Sequence, residues 1–155
     1  INKQNFCTLL LNASLIRYTS LANGSFGAVQ AEGTAQFTIN ADVYAIYANN
    51  AAIAVEAGGT STVTINSGDF RQVGVPAGEP CDLIYATDSA TIVINGGTFK
   101  AIVPANTLNV LDANRGKAKI VVNGGRFYKY NPSHPTLGDN EIFLGEGCTV
   151  KQDGD

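Results

Sequence analysis

The sequence predicts an all-β protein, a right-handed parallel β-helix of about six coils with three short strands per coil. The first observation is a repeated nine-residue segment, which reads QFTINADVY at 36–44, TVTINSGDF at 62–70, TIVINGGTF at 91–99 and KIVVNGGRF at 119–127. A period of 26 to 29 residues is typical of stacked units that are stable only against their neighbours. The second observation is an asparagine column with spacings of 28, 26, 29 and 28 residues: Asn12, Asn40, Asn66, Asn95 and Asn123.

The composition agrees with an all-β chain. Of the 155 residues, 45% are apolar, which is enough for one continuous core, 17 are glycine and only 15% are charged, as in strand-and-turn proteins. We therefore predict a single β-helix solenoid over residues 1–155, as part of a longer chain or assembly. A β-sandwich would have antiparallel hairpins with Asn-Gly turns, and it does not predict five asparagines in register.

The first strand of each coil alternates between inward apolar residues and outward residues, as a pleated strand requires. A sixth coil is predicted because a further 28 residues after Asn123 end within the sequence Cys-Thr-Val-Lys at 148–151. The predicted inward pairs are Leu9/Leu11, Phe37/Ile39, Val63/Ile65, Ile92/Ile94, Ile120/Val122 and Cys148/Val150.

The asparagine ends this strand, and glycine follows it in three coils, where it permits backbone angles closed to other residues. Each side-chain amide is able to bond to the asparagine one coil above and below. We therefore predict an internal asparagine ladder through the five asparagines; five separate turn asparagines are the alternative.

A second column begins four residues after each asparagine and comprises Ile16, Tyr44, Phe70, Phe99 and Phe127. Coils about 4.8 Å apart would stack these side chains, and burial of each aromatic ring contributes at most about 4 to 6 kcal/mol. A third apolar segment closes each coil, at 28–31, 53–55, 83–85, 108–111 and 142–144. Because the coils are long and differ in length, we expect the right-handed form of the β-helix.

The repeats INGGTF and INSGDF resemble those of a group of parallel β-helix proteins that includes fibre and spike proteins of phage virions and surface proteins of gut bacteria. The resemblance covers residues 34–155, with the tail YNPSHPTLGDNEIFLGEGCTVKQDGD, and its motifs are structural. In that group such a tail commonly continues into another strand, and this chain has no methionine, so we expect it to be a piece of a longer protein. The resemblance implies a receptor-binding, virion or adhesin role.

Charge and segment length argue against two classes of partner. The net charge is −3 and the pI is near 5.0, whereas proteins that bind nucleic acid carry a basic surface. The apolar runs are far shorter than the roughly 20 residues that cross a bilayer. We expect neither nucleic-acid binding nor membrane insertion. Cys7, Cys81 and Cys148 have no disulfide or zinc spacing and are expected to be buried small hydrophobic residues.

The sequence gives little support for catalysis. His134 lies in a loop, and the Gly-Gly pairs lead into strands, so we expect no metal, cofactor or phosphate site. Asp42 and Asp69, near the same turn of adjacent coils, are the pair that glycosidase chemistry would use. The simpler interpretation is that both are solvated surface acids. The same interpretation applies to the acids near the third strand, which are Glu56, Asp88 and Asp112.

One candidate binding surface follows the second column. The residues expected to point outward one above another are Arg17, Ala45, Arg71, Lys100 and Tyr128, with Arg126 and Lys129 close by. A basic and aromatic stripe on an acidic protein would bind an anionic glycan or an acidic neighbouring subunit, or it keeps the strand face soluble.

The ends of the solenoid also predict partners. No amphipathic helix is predicted at either end, and an open solenoid end exposes strand edges, so we expect a homo-oligomer or neighbouring virion or surface proteins. The leading hypothesis is a non-catalytic structural and receptor-binding β-helix module of a phage virion fibre or spike. The alternatives are a bacterial cell-surface or secreted adhesin module and a polysaccharide-degrading enzyme. The expected location is the virion, the cell surface or the extracellular space.

Overall fold

The computed structural model describes residues 2–3, 8–20, 26–47, 52–74, 81–134 and 143–154. Short strands account for most of this part of the chain. Two short 3-10 helices, Pro104–Asn106 and Asp112–Asn114, flank the thirteenth strand. The strands in chain order are β1 (Asn2–Lys3), β2 (Thr8–Leu11), β3 (Leu15–Ser20), β4 (Phe26–Ala31), β5 (Gln36–Asn40), β6 (Asp42–Tyr47), β7 (Ala52–Ala57), β8 (Thr62–Ser67), β9 (Asp69–Val73), β10 (Ile84–Ala86), β11 (Thr91–Ile94), β12 (Thr98–Lys100), β13 (Leu108–Val110), β14 (Lys119–Val122) and β15 (Arg126–Phe127).

The strands form three parallel sheets of five strands each, which confirms the predicted parallel β-helix. Sheet A has the order β1-β4-β7-β10-β13, sheet B the order β14-β11-β8-β5-β2, and sheet C the order β15-β12-β9-β6-β3. Each sheet receives every third strand, so one coil contributes one strand to each sheet. The number of coils is lower than expected: four coils carry three strands, and β14 and β15 begin a fifth. The right-handed sense stays a prediction.

The inward face of sheet B confirms the predicted alternation. In β5, β8, β11 and β14, buried apolar residues alternate with more exposed ones. The strands pair in register, so that Ile65 lies between Ile39 and Ile94. These residues belong to one apolar core that runs through the coils.

The second column is confirmed in four coils and corrected in one. Phe70, Phe99 and Phe127 stack with ring centroids 4.9 and 4.8 Å apart and interplanar angles of 11° and 12°. The residue paired with Phe70 is Val43, and Tyr44 pairs with Arg71 on the outward side. The turn after Asn40 is one residue shorter than the others, which moves every side chain of β6 by one position.

The asparagine ladder exists in two parts. The Nδ2 of Asn40 donates to Oδ1 of Asn12 at 2.8 Å, and Asn95 donates to Asn66 while Asn123 donates to Asn95, each at 3.0 Å. Between the two parts, the register shifts after Ile39 and places Asn40 opposite Ser67. The ladder also lies on the surface, because four of its five asparagines are exposed and Asn40 is half-buried. The prediction of an internal, unbroken ladder is therefore wrong.

The corner between sheets A and B repeats a left-handed backbone position. Gly33 and Gly59 occupy this position in successive coils, and both have φ of 63°. Asp88 occupies it in the next coil, with φ of 56°. Aspartate is one of the few residues that tolerate this conformation. Its carboxylate accepts the backbone N–H of Gly59 at 2.9 Å, which joins two coils at the corner.

A buried polar network lies under the corner between sheets C and A. The side chain of Gln72 is only 6% exposed. Its Nε2 lies 2.8 Å from the carbonyl oxygen of Cys81 and 3.1 Å from that of Ala52, and its Oε1 accepts the N–H of Ile102 at 3.2 Å. The hydroxyl of Tyr47 lies 3.1 Å from the Cys81 sulfur. One glutamine side chain therefore connects segments from three coils.

The cysteine prediction is only partly correct. Cys81 and Cys148 are free, but each is half-buried and packs beside polar groups. Burial raises the pKa of the Cys81 thiol, which keeps it in the unreactive neutral form. Cys7 lies outside the described residues.

The C-terminal segment departs from the predicted coil pattern. Tyr130 and Phe143 join the apolar core at this end. The carbonyl oxygen of Phe143 accepts the N–H of Val122 at 2.7 Å, and the N–H of Gly145 donates to Val122 at 2.8 Å. The segment therefore pairs with the outer edge of β14 at its last residue, Val122.

Two predicted strands are corrected by this arrangement. The third strand expected at 142–144 does not join sheet A, because Phe143 and its neighbours pair with sheet B instead; residue 142 lies outside the described residues. The sixth-coil strand at Cys148/Val150 is not formed, and Val150 is 44% exposed.

Candidate binding surface

The predicted stripe lies on the outward face of sheet C, with one change of residue. Tyr44 pairs with Arg17 on one side and Arg71 on the other, and Arg71 pairs with Lys100. Ala45 was expected in this column, but it faces the core with no exposed surface. The same one-residue shift that moves Tyr44 out of the aromatic column moves it into the stripe. Hereafter the stripe is Arg17, Tyr44, Arg71, Lys100 and Tyr128.

Two cations of the stripe, and Lys129 beside it, contact tyrosine rings of the stripe. The Arg71 guanidinium lies 5.7 Å from the centroid of the Tyr44 ring. The ammonium groups of Lys100 and Lys129 lie 4.8 and 5.7 Å from the Tyr128 ring, so this ring contacts two cations. Contacts of this kind hold long side chains near one position, and exposed examples contribute about 0.5 to 1 kcal/mol each.

Two of the predicted basic residues lie beside the stripe. Arg126 pairs with Thr98 in the neighbouring outward column of sheet C. Its guanidinium lies 3.1 Å from the Asp153 carboxylate, and both side chains are exposed, so we expect this ion pair to be weak. Lys129 follows Tyr128 in a turn with φ of 53°.

Asp42 and Asp69 occupy adjacent coils, as expected, and both make contacts within the chain. Oδ1 of Asp42 accepts the backbone N–H of Asp69 at 2.8 Å. Oδ2 of Asp69 accepts the Tyr44 hydroxyl at 3.3 Å and forms an ion pair with Arg71. The hydrogen bond and charge of Asp69 raise the pKa of Arg71 further. The second oxygen of Asp69, Oδ1, is enclosed and has no hydrogen-bond partner.

A second group of acids lies on the outward face of sheet A. The paired outward positions of this sheet are Gln30, Glu56, Tyr85 and Asn109, none of which is basic. Glu56 is half-buried, and its Oε2 is enclosed without a hydrogen-bond partner. Burial, and next the Glu32 carboxylate, raise the pKa of Glu56. The pKa of Glu32 is itself raised by burial and then by Asp88.

Hereafter the acidic cluster is Glu32, Glu56 and Asp88. Sequence reasoning placed Glu56 and Asp88 near the third strand but missed Glu32, which follows Ala31 at the corner of the preceding coil. Glu32 and the Gly58-Gly59 pair are one coil apart in the sequence, and this spacing was the signal that could have revealed Glu32. In the structure, the Glu32 carboxylate packs where a side chain at Gly58 would lie. The acids at 82 and 112 differ from the cluster because Asp82 accepts the Asn109 amide at 3.0 Å and Asp112 pairs with Arg115 at 2.6 Å.

A cleft lies between the last coil and the C-terminal tail. Its volume is about 810 Å³, and it is partly open to solvent. The residues that line it include Tyr128, at the end of the stripe, and residues 148–154 of the tail. His134 also lines it and is exposed, as predicted.

Comparisons of the chain with protein-family models, with curated proteins and with solved structures found no match. The described residues contain no group of three or more histidine, cysteine, aspartate or glutamate side chains placed to hold a metal ion. No helix in the described part of the chain has the length and apolar character to cross a membrane.

Proposed function

We propose that this chain is a non-catalytic structural and receptor-binding module of a phage virion fibre or spike. The solenoid is the rigid shaft, and the stripe is its contact surface. The observation that carries the proposal is the register of the stripe, in which a cation or a tyrosine follows on each of four successive coils and Lys100 contacts the Tyr128 ring of the next coil. Tyrosine and arginine are among the residues enriched at protein contact surfaces.

The solenoid gives such a surface an advantage in binding. Side chains on paired strands keep their spacing, and the ring contacts of Arg71, Lys100 and Lys129 hold these side chains further in place. A surface that is already ordered loses less conformational entropy when a partner binds. The positive charge favours a partner with negative charge, and the resemblance of the repeats to virion fibre and spike proteins supports the virion as the location.

Binding of the fluorescently labelled chain to bacterial cells, measured by flow cytometry, tests this proposal. We expect binding that weakens at least about tenfold in Arg17→Ser/Lys100→Ser, because two cations leave the contact. The matched control is Lys117→Ser/Lys119→Ser, which removes the same charge from exposed positions outside the stripe and should bind like the native chain. Equal loss in both variants, or no binding to any cell type, would contradict the proposal.

The bacterial adhesin alternative uses the same surface in a different location. A signal peptide and a cell-wall anchor in the flanking gene sequence would favour it over a virion module. Neighbouring virion genes would favour the leading proposal.

A polysaccharide-degrading activity is the alternative from another class, and the enclosed, unpartnered Oδ1 of Asp69 beside Asp42 favours testing it. Two carboxylates that flank a scissile bond are the usual requirement of this chemistry. Release of reducing ends from capsular or plant polysaccharide, lost in Asp69→Asn, would establish the activity. No release by the native chain would reject it.

A further inference from the structure

The stripe and the acidic cluster are two charged surfaces of opposite sign on different faces of the same solenoid. The stripe lies on the outward face of sheet C, and the cluster lies on the outward face of sheet A and the corner that follows it. Because both sets of side chains point away from the common core, they cannot contact each other within one chain. Each surface therefore remains available to a neighbouring molecule.

Among the paired outward residues of β4, β7, β10 and β13, the acidic cluster has no counter-charge. The paired outward positions of sheet A include no lysine or arginine, and Oε2 of Glu56 is enclosed without a hydrogen-bond partner. Two neighbouring carboxylates in a half-buried setting destabilise each other's charged forms. The cluster is therefore a surface that an incoming cation would stabilise.

The stripe supplies charges of the opposite sign. Arg17 and Lys100 are exposed, and Arg71 is the stripe cation that pairs with an acid of its own strand. Both surfaces are built on parallel strands about 4.8 Å apart. The exposed cations lie on the first and fourth coils, and the acids lie on three successive coils, so both surfaces extend along the solenoid axis.

We propose that the stripe of one copy of this chain docks on the acidic cluster of a second copy, with the two solenoids side by side. The inference rests on the proposed function in that it uses the stripe as a contact surface, and it names a second copy as one partner. A second copy fits better than an anionic glycan because it satisfies both surfaces, whereas a glycan on the stripe leaves the acidic cluster without a cation.

The contact joins two different surfaces, so each copy has one free stripe or one free cluster after pairing. Such heterologous contacts continue into rings or filaments. Each face is only five short strands wide, about 20 Å along the solenoid axis, which places one contact among small, transient interfaces. The association should be weak, dependent on concentration and sensitive to salt.

Sedimentation velocity of the full chain over a concentration series tests this proposal. We expect association at low salt that disappears at about 1 M salt, where the screening length falls to about 3 Å. Arg17→Glu/Lys100→Glu and Glu32→Lys/Glu56→Lys should each weaken association at least about tenfold. An equimolar mixture of the two variants should restore it, because each altered surface then faces its complement.

Two further variants keep the result interpretable. Lys117→Glu/Lys119→Glu makes the same charge change as the stripe variant at exposed positions outside both surfaces, and it should associate like the native chain. Glu32→Gln/Glu56→Gln keeps the shape of the cluster and should also weaken association, whether or not the lysine variant folds.

The outcomes separate this inference from the proposed function. A native chain that stays monomeric at low salt, or a mixture of folded variants that fails to associate, overturns the inference and leaves cell binding to be judged separately. If the stripe variant loses cell binding but still associates, the stripe binds a cell-surface anion and the inference is wrong. If association depends on both surfaces while cells are not bound, the inference stands and receptor binding fails.

Discussion

The phenylalanine stack and the asparagine ladder recur once per coil in the same register, yet one is buried and the other exposed. Phe70 and Phe99 have no exposed surface, and their rings lie 4.9 Å apart. Asn95 and Asn123 are exposed, and their amides bond at 3.0 Å. Water competes for the exposed hydrogen bonds but not for the buried rings. The comparison teaches that recurrence in the sequence marks a position and does not measure its contribution to stability.

Removing one ring from the middle of the stack should have the largest effect. Phe99→Ala leaves a cavity between Phe70 and Phe127 and should lower the free energy of unfolding by about 3 to 5 kcal/mol. The control is Phe127→Ala at the half-buried end of the stack, which should cost less because its site collapses more easily. Denaturant unfolding of both variants measures the difference, and equal losses would contradict a stack that is strongest at its centre.

Replacing the buried amide of the polar network should have the next largest effect. Gln72→Leu leaves the N–H of Ile102 without its acceptor and removes the amide donor to the carbonyl oxygens of Cys81 and Ala52, at a cost of about 2 kcal/mol. The outward neighbour Arg71→Leu should cost less than about 1 kcal/mol, because its ion pair is half-exposed. Thermal unfolding of the two variants would contradict the network's role if their transitions shifted equally.

Breaking the asparagine ladder should have a smaller effect. Asn95→Ala removes one hydrogen bond to Asn66 and one to Asn123, and should cost about 1 kcal/mol because both bonds are exposed. Asn40→Ala removes only the bond to Asn12, so it should cost about half as much. If Asn95→Ala proved as harmful as Phe99→Ala, the distinction between the two columns would be wrong.

Neutralising the acidic cluster should raise stability slightly. The folded state raises the pKa of Glu56 above the ordinary value of 4.5, so its charged form is the less stable one in the fold. Below 4.5 the carboxyl is protonated and carries no penalty, and the penalty grows as the pH rises through the raised value. Glu56→Gln should therefore be more stable than the native chain at pH 7, by about 0.5 kcal/mol.

Denaturant unfolding as a function of pH measures this difference. The advantage of Glu56→Gln should shrink as the pH falls and vanish below the ordinary glutamate pKa. An advantage that persists at low pH would mean that charge is not its cause.

Sequence patterns were sufficient for the parallel solenoid because the alternation in sheet B repeats without interruption. Residues such as Ile65 and Ile94 sit at the same phase in their copies, and in-register stacking follows from that phase alone. The stripe was predictable for the same reason in four of its residues, since Arg17, Arg71, Lys100 and Tyr128 keep the common spacing from their asparagines.

The remaining features depend on turns and on contacts between coils. The turn after Asn40 is one residue short, and equal spacing therefore assigned Tyr44 to the core and Ala45 to the surface. The acidic cluster needed the packing of Glu32 against Gly58, which no spacing within one coil reveals. Residues 143–145 pair with the end of β14 through backbone groups, and such groups leave no pattern in the side chains.

The most direct test of this register is the stability of Tyr44→Ala, measured by denaturant unfolding beside Val43→Ala. Val43 has no exposed surface and pairs with Phe70, so its truncation should cost about 2 kcal/mol. Tyr44 points outward, and its truncation should cost clearly less. The opposite order would return Tyr44 to the aromatic column, and both the short turn and the stripe built on it would be wrong.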